Sequence, residues 1–259
     1  MKFNLKRKNG LAALGPVSAK WSEIEDYLQV DDRLILPVGS QEQHGRHLPI
    51  GVDWFIPSEL GQLVSKQTGV PVYSPICYGM AWLHSAYPGT VALQPTTLMA
   101  VYKDILEQII AHGFKRLLLL NGHGGNSNIL NSALSEIVRH CPELQVKVFQ
   151  WWTMESVIQI CMERFGEIDS HAGPAETSVM LHFAPASVDM DNATDQQSKL
   201  LPYFPNPKAI RKLYPDGVMQ NRASLADAAI GREIVQHCVH ELCLELEVGG
   251  QKGSWDLSN

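Results

Sequence analysis

The stretch that decides the fold of this 259-residue chain is residues 34–53, LILPVGSQEQHGRHLPIGVD. Leu34 to Val38 form an apolar run of strand length, and the Gly and Ser residues that follow are typical of a turn. Two acidic and two imidazole side chains buried together would repel or titrate one another, and a divalent cation resolves that conflict. The sequence therefore predicts a metal site after the first strand, with four candidate ligands: Glu42, His44, His47 and Asp53.

Composition limits the classes of partner that this chain can have. It is 45 % hydrophobic and 19 % charged, which predicts one large domain, residues 1–259, with a sizeable core. A net charge of −6 gives no electrostatic basis for binding nucleic acid or an anionic membrane, so we expect a small-molecule partner. The 5 cysteines lack CxxC spacing, which favours a reducing cytoplasm over a disulfide framework. The apolar part of the chain start is too short and too broken to predict a signal sequence or a spanning helix.

Strand and helix patterns alternate along the chain. The leucine run at 117–120 is typical of a central parallel strand buried on both faces, and a glycine-rich turn and a helix follow it. A capping-box pattern at Ser22–Glu25 predicts the start of the first helix. We therefore predict an α/β fold in which helices cover both faces of a mostly parallel sheet. The predicted strands are 34–38, 70–77, 115–120 and 144–150; the predicted helices are 22–29, 55–67, 97–112, 127–139, one starting at Pro174, and 223–247.

Two further clusters of polar residues lie where sites form in such sheets, beyond the carboxyl ends of the strands. His123 lies in the glycine-rich turn 121–126, which follows the leucine strand. His171 and Glu176 lie in the segment 169–178, which leads into the helix at Pro174. The turns after two different strands can therefore converge on one site.

Each of these residues also has a structural role that the sequence leaves open. Glu176 can serve the start of its own helix, and Asp53 can cap a turn or a helix. His123 can be a polar residue satisfied in a tight turn, and His47 is the weakest ligand candidate of the first cluster. Because carboxylates and imidazoles occur together in one chain, a site for Zn or Mn is favoured.

Two stretches outside these clusters are candidates for pocket walls. The predicted loop 78–89 is rich in aromatic residues, so it suits a pocket wall as well as a loop packed over the core. The segment 185–215 is polar and rich in proline, which predicts an excursion on the surface. Both could border a site at the carboxyl edge of the sheet.

Four motifs resemble, in the same order, those of the creatininase (creatinine amidohydrolase) family. They are LPVGSxExHGxHLPxGxD at 36–53, YPGT at 87–90, NGHGGN at 121–126, and HAG with ETS at 171–178. The resemblance implies a three-layer α/β/α sandwich and a site for two divalent metal ions. It also implies hydrolysis of an amide-type bond in a homohexamer built as a trimer of dimers.

The resemblance also implies a role for each candidate ligand. In the creatinine-hydrolysing members, a further carboxylate stands two residues after the histidine of the NGH motif, where this chain has Gly125. Other members share the HGGN form, and in them the glutamate of the ETS motif, here Glu176, is the natural substitute. The two ions are expected to be Zn or Mn, with Fe as a third option. The implied ligands are Glu42, Asp53 and His123 for one ion, and His44, the bridging Asp53 and Glu176 for the other.

The implied reaction is hydrolysis of a cyclic amide or a formamide-type C–N bond by a hydroxide that the two ions activate. His171 matches the family's catalytic histidine and would protonate the departing nitrogen, for which an ordinary pKa near 6.5 is suited. Glu176 would be the second catalytic residue, and the backbone amides of Gly124 and Gly125 would bind the oxyanion. Further substrate contacts are expected from His84, Trp151 and Trp152, although a place in the core is the alternative for the two tryptophans.

Three other functions fit parts of the pattern. The HGG sequence resembles the oxyanion loop of serine esterases, but the chain has no GxSxG elbow. A non-enzymatic small-molecule binder has little support, because the glycine turn lacks the P-loop and full GxGxxG patterns. Creatinine amidohydrolase proper is the closest alternative. Because glycine at Gly125 is expected to free space beside the second ion, we expect a larger amide than creatinine as the main substrate.

Overall fold

A computed structural model of the protein describes residues 19–197, 205–247 and 255, so the chain start and part of the 185–215 segment lie outside the described residues. Within the described residues, no helix is long and apolar enough to cross a membrane. The helices and strands are α1 (Trp21–Leu28), β1 (Arg33–Val38), α2 (Val52–Thr68), α3 (Pro95–Ala111), β2 (Arg116–Asn121), α4 (Ser127–His140), β3 (Gln145–Gln150), α5 (Glu155–Arg164), α6 (Pro174–Phe183), α7 (Pro207–Leu213) and α8 (Ala228–Glu247).

The strands form a parallel sheet in the order β1–β2–β3, with Leu36 paired to Leu119. Successive side chains of a strand point to opposite faces of the sheet. Leu36 and Leu119 accordingly belong to a hydrophobic cluster with residues of α3 and α4. Ile35 and Leu118 belong to a second cluster with residues of α2, α5, α6 and α8. Helices therefore cover both faces of the sheet, which confirms the predicted α/β fold with its three layers.

The segment 70–77, for which the apolar pattern predicts a strand, is not a regular strand. It runs along the outer edge of β1 and pairs with it through isolated bridges at Val72 and Ile76. Pro71 and Pro75 have no backbone N–H, so neither residue can donate to a hydrogen-bond ladder. The strand prediction was wrong because the two prolines outweigh the buried apolar residues between them.

The first helix starts with a different cap from the predicted one. α1 begins at Trp21, before the proposed capping box at Ser22–Glu25. The backbone N–H of Lys20 donates to the Glu23 carboxylate at 2.7 Å, which is the side-chain half of a capping box that starts earlier than expected. The helix was predicted correctly, but its cap was not.

The C-terminal half contains two helices that the sequence did not predict, α5 and α7. α7 lies inside the segment 185–215, which was predicted as an irregular excursion. α8 begins at Ala228 and not at residue 223, because Asp227 caps it by accepting a hydrogen bond from the Ala229 N–H at 2.6 Å.

Glycines at the ends of β1 and β2 let helix α2 begin directly against the sheet. A Cβ atom at Gly39 would overlap the backbone of Trp54, and one at Gly122 would overlap the carbonyl oxygen of Asp53. Because neither glycine has a side chain, the first turn of α2 packs on both strand ends. Asp53 is thereby placed at the carboxyl edge of the sheet.

We expect Gly122→Ala to lower the free energy of unfolding by roughly 1–3 kcal/mol, the usual cost of forcing extra atoms into a packed site. The added Cβ would overlap the Asp53 carbonyl oxygen and lie 2.9 Å from Pro57 Cγ. Gly124→Ala is the matched control, because the nearest atom to its Cβ is Trp152 Cζ2 at 4.0 Å. Urea unfolding of both variants and the parent measures the difference; equal stability of the two variants would contradict this packing.

Candidate metal centre

The predicted metal ligands meet at the carboxyl edge of the sheet. Glu42 and His44 lie on the loop after β1, and His123 lies in the turn after β2. Asp53 is in the first turn of α2, and Glu176 is in the first turn of α6. Four of these side chains are buried, while that of His123 is 12 % exposed. Elements far apart in the sequence therefore supply one cluster.

The Asp53 carboxylate lies between two histidines. Its Oδ1 atom is 3.0 Å from His44 Nε2, and its Oδ2 atom is 3.2 Å from His123 Nδ1. Glu42 Oε2 lies 2.8 Å from the same nitrogen of His123. Glu176 Oε1 lies 3.6 Å from His44 Nε2. Each oxygen of Asp53 thus faces a different histidine, as the two oxygens of a bridging carboxylate do.

Hydrogen bonds to the backbone decide which nitrogens of His44 and His123 carry a lone pair. His44 Nδ1 lies 3.1 Å from the carbonyl oxygen of Glu42, and His123 Nε2 lies 3.1 Å from that of Met80. A carbonyl oxygen only accepts, so in each neutral ring the hydrogen sits on that nitrogen. The opposite nitrogens then present lone pairs to Asp53, which is the arrangement of metal-ligating histidines.

Two buried atoms in this cluster have no hydrogen-bond partner, Glu42 Oε1 and His44 Nε2. His84 Nδ1 lies 2.7 Å from Glu42 Oε1 without making a hydrogen bond of acceptable geometry. Buried polar atoms without partners are costly, and a coordinated cation would satisfy both. The donor atoms therefore fit a metal ion. Groups whose ligand atoms lie within 4.8 Å of one another are Glu42–Asp53–His123, His44–His171–Glu176 and Glu42–His84–His171.

Opposite charges dominate the electrostatics of the cluster. Burial would raise the pKa of Glu42, but the charges of His123, His84 and His171 together outweigh it and hold that pKa well below its usual range. Burial would lower the pKa of His44, but Asp53 and Glu176 raise it well above its ordinary value. Glu42 and Asp53 likewise outweigh burial and raise the pKa of His123. The carboxylates stabilise positive charge at both imidazoles, where a bound cation would take the place of the protons.

Glu176 is held in place by the start of α6. Its Oε2 atom accepts a hydrogen bond from the Ala172 N–H at 2.6 Å. The N–H groups of Ala175 and Glu176 donate to the Asp169 carboxylate at 3.1 Å each, and burial together with the charge of Glu176 raises the pKa of Asp169 to about 8. Glu176 therefore serves the start of its own helix through Oε2, while its Oε1 atom faces His44, so its role as a ligand stays a prediction.

His171 packs against the same cluster. Its ring centroid is 4.5 Å from that of His44 and 4.4 Å from that of His84. Its Nδ1 atom lies 3.7 Å from Glu42 Oε1, and its Nε2 atom lies 2.8 Å from the side-chain nitrogen of Gln43. Burial and the charge of His84 hold the pKa of His171 well below its ordinary value.

A cavity of about 90 Å³ adjoins these residues. Gly124, Trp152, Asp169 and Ser170 form its walls together with residues of the ligand cluster. Trp152 and Gly124 therefore stand where the sequence predicted contacts with substrate. His84 does not line this cavity, because its ring faces Glu42 and Gln43.

One predicted substrate contact, that of Trp151, and the free space expected at Gly125 need correction. Trp151 is only 4 % exposed and packs in the hydrophobic core, with its ring 6.0 Å from that of Trp152 at an angle of 80°. Trp152 packs against the same core cluster but also lines the cavity, which Trp151 does not. Gly125 does not open into free space either, because a Cβ atom there would overlap the Met80 carbonyl oxygen and lie 2.5 Å from His123 Nε2. The space expected beside the second ion is filled by these groups.

His47, the weakest candidate in the sequence, is buried outside the three ligand groups. Its Nε2 atom lies 2.9 Å from the hydroxyl of Thr177 in α6. Burial and the charge of His44 lower the pKa of His47 to about 4. The residue joins the loop after β1 to helix α6, which is a structural role.

The creatinine amidohydrolase family model matches residues 18–246 of this chain. The chain belongs to the creatininase family. The creatinine amidohydrolase of Pseudomonas putida is 30 % identical to it, over 71 % of this chain and 77 % of its own. The mycofactocin precursor peptide peptidase of Mycolicibacterium smegmatis is 32 % identical, over 61 % of this chain and 60 % of its own. A solved structure described as creatininase Mn has a TM-score of 0.83 at 26 % identity and covers 93 % of this chain and 100 % of its own.

The protein is therefore a creatininase-family amidohydrolase, a hydrolase of C–N bonds, with a cluster of residues able to bind metal. The sequence did not single out two polar residues of the site, Gln43 and Asp169. Gln43 lies between two predicted ligands in the first motif, and Asp169 lies in the predicted segment 169–178. Their positions in the sequence could therefore have identified them as site residues. Nothing in the sequence indicated the contact between His123 and the carbonyl group of Met80, because any residue type can supply a backbone carbonyl group.

His47→Gln tests the structural role of His47 through the pH dependence of stability. The pKa of His47 is about 4 in the folded protein, below its unfolded value near 6.5, so its contribution is full above pH 6.5 and is lost as pH falls toward 4. Between pH 7.5 and 5, we expect the parent to lose roughly 2 kcal/mol more unfolding free energy than the variant. Urea unfolding at both pH values measures this, and metal content should not change; an identical pH response, or loss of metal, would contradict the assignment.

Proposed function

We propose that this creatininase-family protein holds two divalent metal ions and hydrolyses a cyclic amide or a formamide-type C–N bond. The observation that carries the proposal is the Asp53 carboxylate, which has one oxygen 3.0 Å from His44 Nε2 and the other 3.2 Å from His123 Nδ1. Both histidines place their other nitrogen on a backbone carbonyl, so both offer a lone pair to the same centre. A protein that only binds small molecules has no need of this arrangement.

The residues divide into two ligand sets around Asp53. Zn and Mn suit a mixture of carboxylates and imidazoles, with Fe as the third option. When bound, two such ions polarise the scissile carbonyl and lower the pKa of a water molecule toward neutrality. The proposed sets are Glu42, Asp53 and His123 for one ion, and His44, Asp53 and Glu176 for the other.

The remaining residues of the site act on the substrate. Hydrolysis adds water across the C–N bond, so negative charge develops on the carbonyl oxygen and the nitrogen leaves with a hydrogen. Gly124 brings its backbone to the cavity wall, where its N–H could donate to that oxygen. His171, at the edge of the ligand cluster, donates a hydrogen bond to the departing nitrogen, which takes its hydrogen from the attacking water. Trp152 forms a flat apolar wall, which suits the plane of an amide.

Two observations bear on the substrate. The cavity beside the cluster measures about 90 Å³, which suits a small group and not a long chain at the reacting end. The turn after β2 carries Gly125 where the creatinine-hydrolysing members have a carboxylate, and no side chain fits there beside His123. The relative from Pseudomonas putida favours creatinine as the second candidate substrate. The single-domain organisation, the cytoplasmic location and the homohexameric assembly stay predictions.

Purified protein should carry close to two Zn or Mn ions per chain. His44→Ala should lose chiefly one of them, because His44 faces only one oxygen of Asp53. His112→Ala, which removes an exposed histidine, is the control and should keep both. Elemental analysis measures the ions. Protein without metal, with activity indifferent to chelators, would overturn the proposed function.

His171→Ala should keep both metal ions and lose roughly 10²–10⁴ in turnover, the usual range for a positioned hydrogen donor. Steady-state kinetics and elemental analysis on the same preparation separate the outcomes. Loss of an ion would make His171 a ligand, and unchanged turnover would remove it from the reaction.

Creatinine should not be the main substrate, because Gly125 leaves the turn after β2 without the carboxylate that the creatinine-hydrolysing members carry there. Metal-loaded protein is assayed on creatinine beside formamides, lactams, other cyclic amides and strained cyclic ketones. At least one amide should be hydrolysed with a higher kcat/KM than creatinine. A kcat/KM for creatinine of roughly 10⁴ M⁻¹s⁻¹ or more, within the usual enzymatic range, would show this expectation to be wrong.

A further inference from the structure

Gln43 is a buried polar residue whose amide group can be oriented without ambiguity. Its Oε1 atom accepts a hydrogen bond from the Gly45 N–H at 2.9 Å, and its Nε2 atom donates to the Gly217 carbonyl oxygen at 3.0 Å. A backbone N–H only donates and a carbonyl oxygen only accepts, so the amide cannot be turned over without losing both bonds. A Cβ atom at Gly217 would overlap Gln43 Oε1, which explains why a glycine carries this carbonyl.

The oriented amide nitrogen faces a histidine ring of the site. Gln43 Nε2 lies 2.8 Å from His171 Nε2 and 2.9 Å from His84 Nδ1, so its second hydrogen faces these two ring nitrogens. An amide nitrogen has no lone pair to offer, and a ring N–H pointed at it would bring two hydrogens together. His171 Nε2 must therefore accept, and the hydrogen of the neutral ring sits on Nδ1.

This arrangement is opposite to that of the two ligand histidines. His44 and His123 each place one nitrogen on a carbonyl oxygen, which leaves a lone pair facing Asp53. His171 places one nitrogen on an N–H donor, which leaves an N–H facing the cluster, 3.7 Å from Glu42 Oε1. An imidazole that carries hydrogen on the nitrogen facing a metal ion cannot coordinate it through that nitrogen.

We infer that Gln43 is a positioning residue that fixes the hydrogen of His171 on Nδ1, which keeps His171 out of metal coordination and makes it a hydrogen-bond donor to the reacting amide. The inference rests on the proposed function and deepens it. The Nδ1–H stabilises the charge that develops on the substrate and remains on the ring. In this account, His171 donates a hydrogen bond while its ring stays neutral, and it does not transfer a proton.

Nitrogen NMR tests the hydrogen placement directly. Protein labelled with ¹⁵N in its 10 histidines is loaded with Zn, which is diamagnetic, and the ring nitrogens are correlated with the ring hydrogens. A His171→Gln variant identifies the signals of His171. We expect Nδ1 to show the shift of a protonated nitrogen and Nε2 that of an unprotonated one. A protonated Nε2 would overturn the inference, whether the tautomer is reversed or Nδ1 binds Zn.

Gln43→Glu tests the cause. A carboxylate at this position only accepts, so the Nε2 signal of His171 should move to the protonated type, and kcat should fall roughly 10²-fold or more with the metal content unchanged. Gln41→Glu is the matched control. Gln41 lies on the same loop, and its amide donates to the Gly89 carbonyl oxygen at 3.2 Å, with no histidine contact in the described part of the chain. In this control, both the signal and kcat should stay as in the parent.

The inference and the proposed function fail in different ways. Absence of metal and of hydrolysis would sink the proposed function, while a spectrum recorded without Zn would still report the position of the His171 hydrogen. An unchanged Nε2 signal in Gln43→Glu would show that Gln43 does not control the ring. If that variant does not fold, a protonated Nε2 in the parent protein still overturns the inference.

Discussion

The structure of the site depends on one carboxylate, that of Asp53, held between two imidazole lone pairs. Two lone pairs directed at the two oxygens of one buried acid repel it, unless protons or cations lie between them. In this protein the second nitrogens of His44 and His123 are already committed to backbone carbonyl groups. The rings cannot turn away without losing those bonds, so the centre is organised for positive charge.

The fold holds this centre through backbone packing as well as through side chains. Gly39 and Gly122 end two neighbouring parallel strands and let the first turn of α2 rest on both. Asp53 comes from that turn, so its position follows from the sheet itself. Glu176 is fixed in a similar way, because Asp169 binds the first N–H groups of α6 and Ala172 binds one carboxylate oxygen. A site built on element ends in this way is more rigid than one built on a free loop.

The hydrophobic pattern was enough to predict the layers of the fold, because the leucines of β2 have to be buried on both faces. It failed at 70–77, where Pro71 and Pro75 interrupt a ladder that the apolar residues suggest. Residue types were enough to identify the candidate ligands, since carboxylates and histidines that meet at strand ends are typical of a metal site. Residue types could not show that Trp152 lines the cavity while Trp151 lies in the core, because the direction of a side chain in a turn depends on the backbone angles.

The sequence was least informative about hydrogen bonds. Three histidines near Asp53 look equivalent in the sequence, and only their partners distinguish them. Two face carbonyl oxygens, while His171 faces the amide nitrogen of Gln43. The lowered pKa of His171 was not visible in the sequence either, since burial and a neighbouring histidine are properties of the folded chain. The hydrogen-bond partners that distinguish these histidines are thus contacts that no spacing of residues reveals.

The central claim, that Asp53 bridges two metal ions, is tested most directly by X-ray diffraction from Zn-loaded crystals with data collected at the zinc absorption edge. The account predicts two anomalous peaks about 3.5–4 Å apart, one on the side of Glu42 and His123 and one on the side of His44, each bonded to one Asp53 oxygen. A single peak, or two peaks of which only one contacts Asp53, would contradict it.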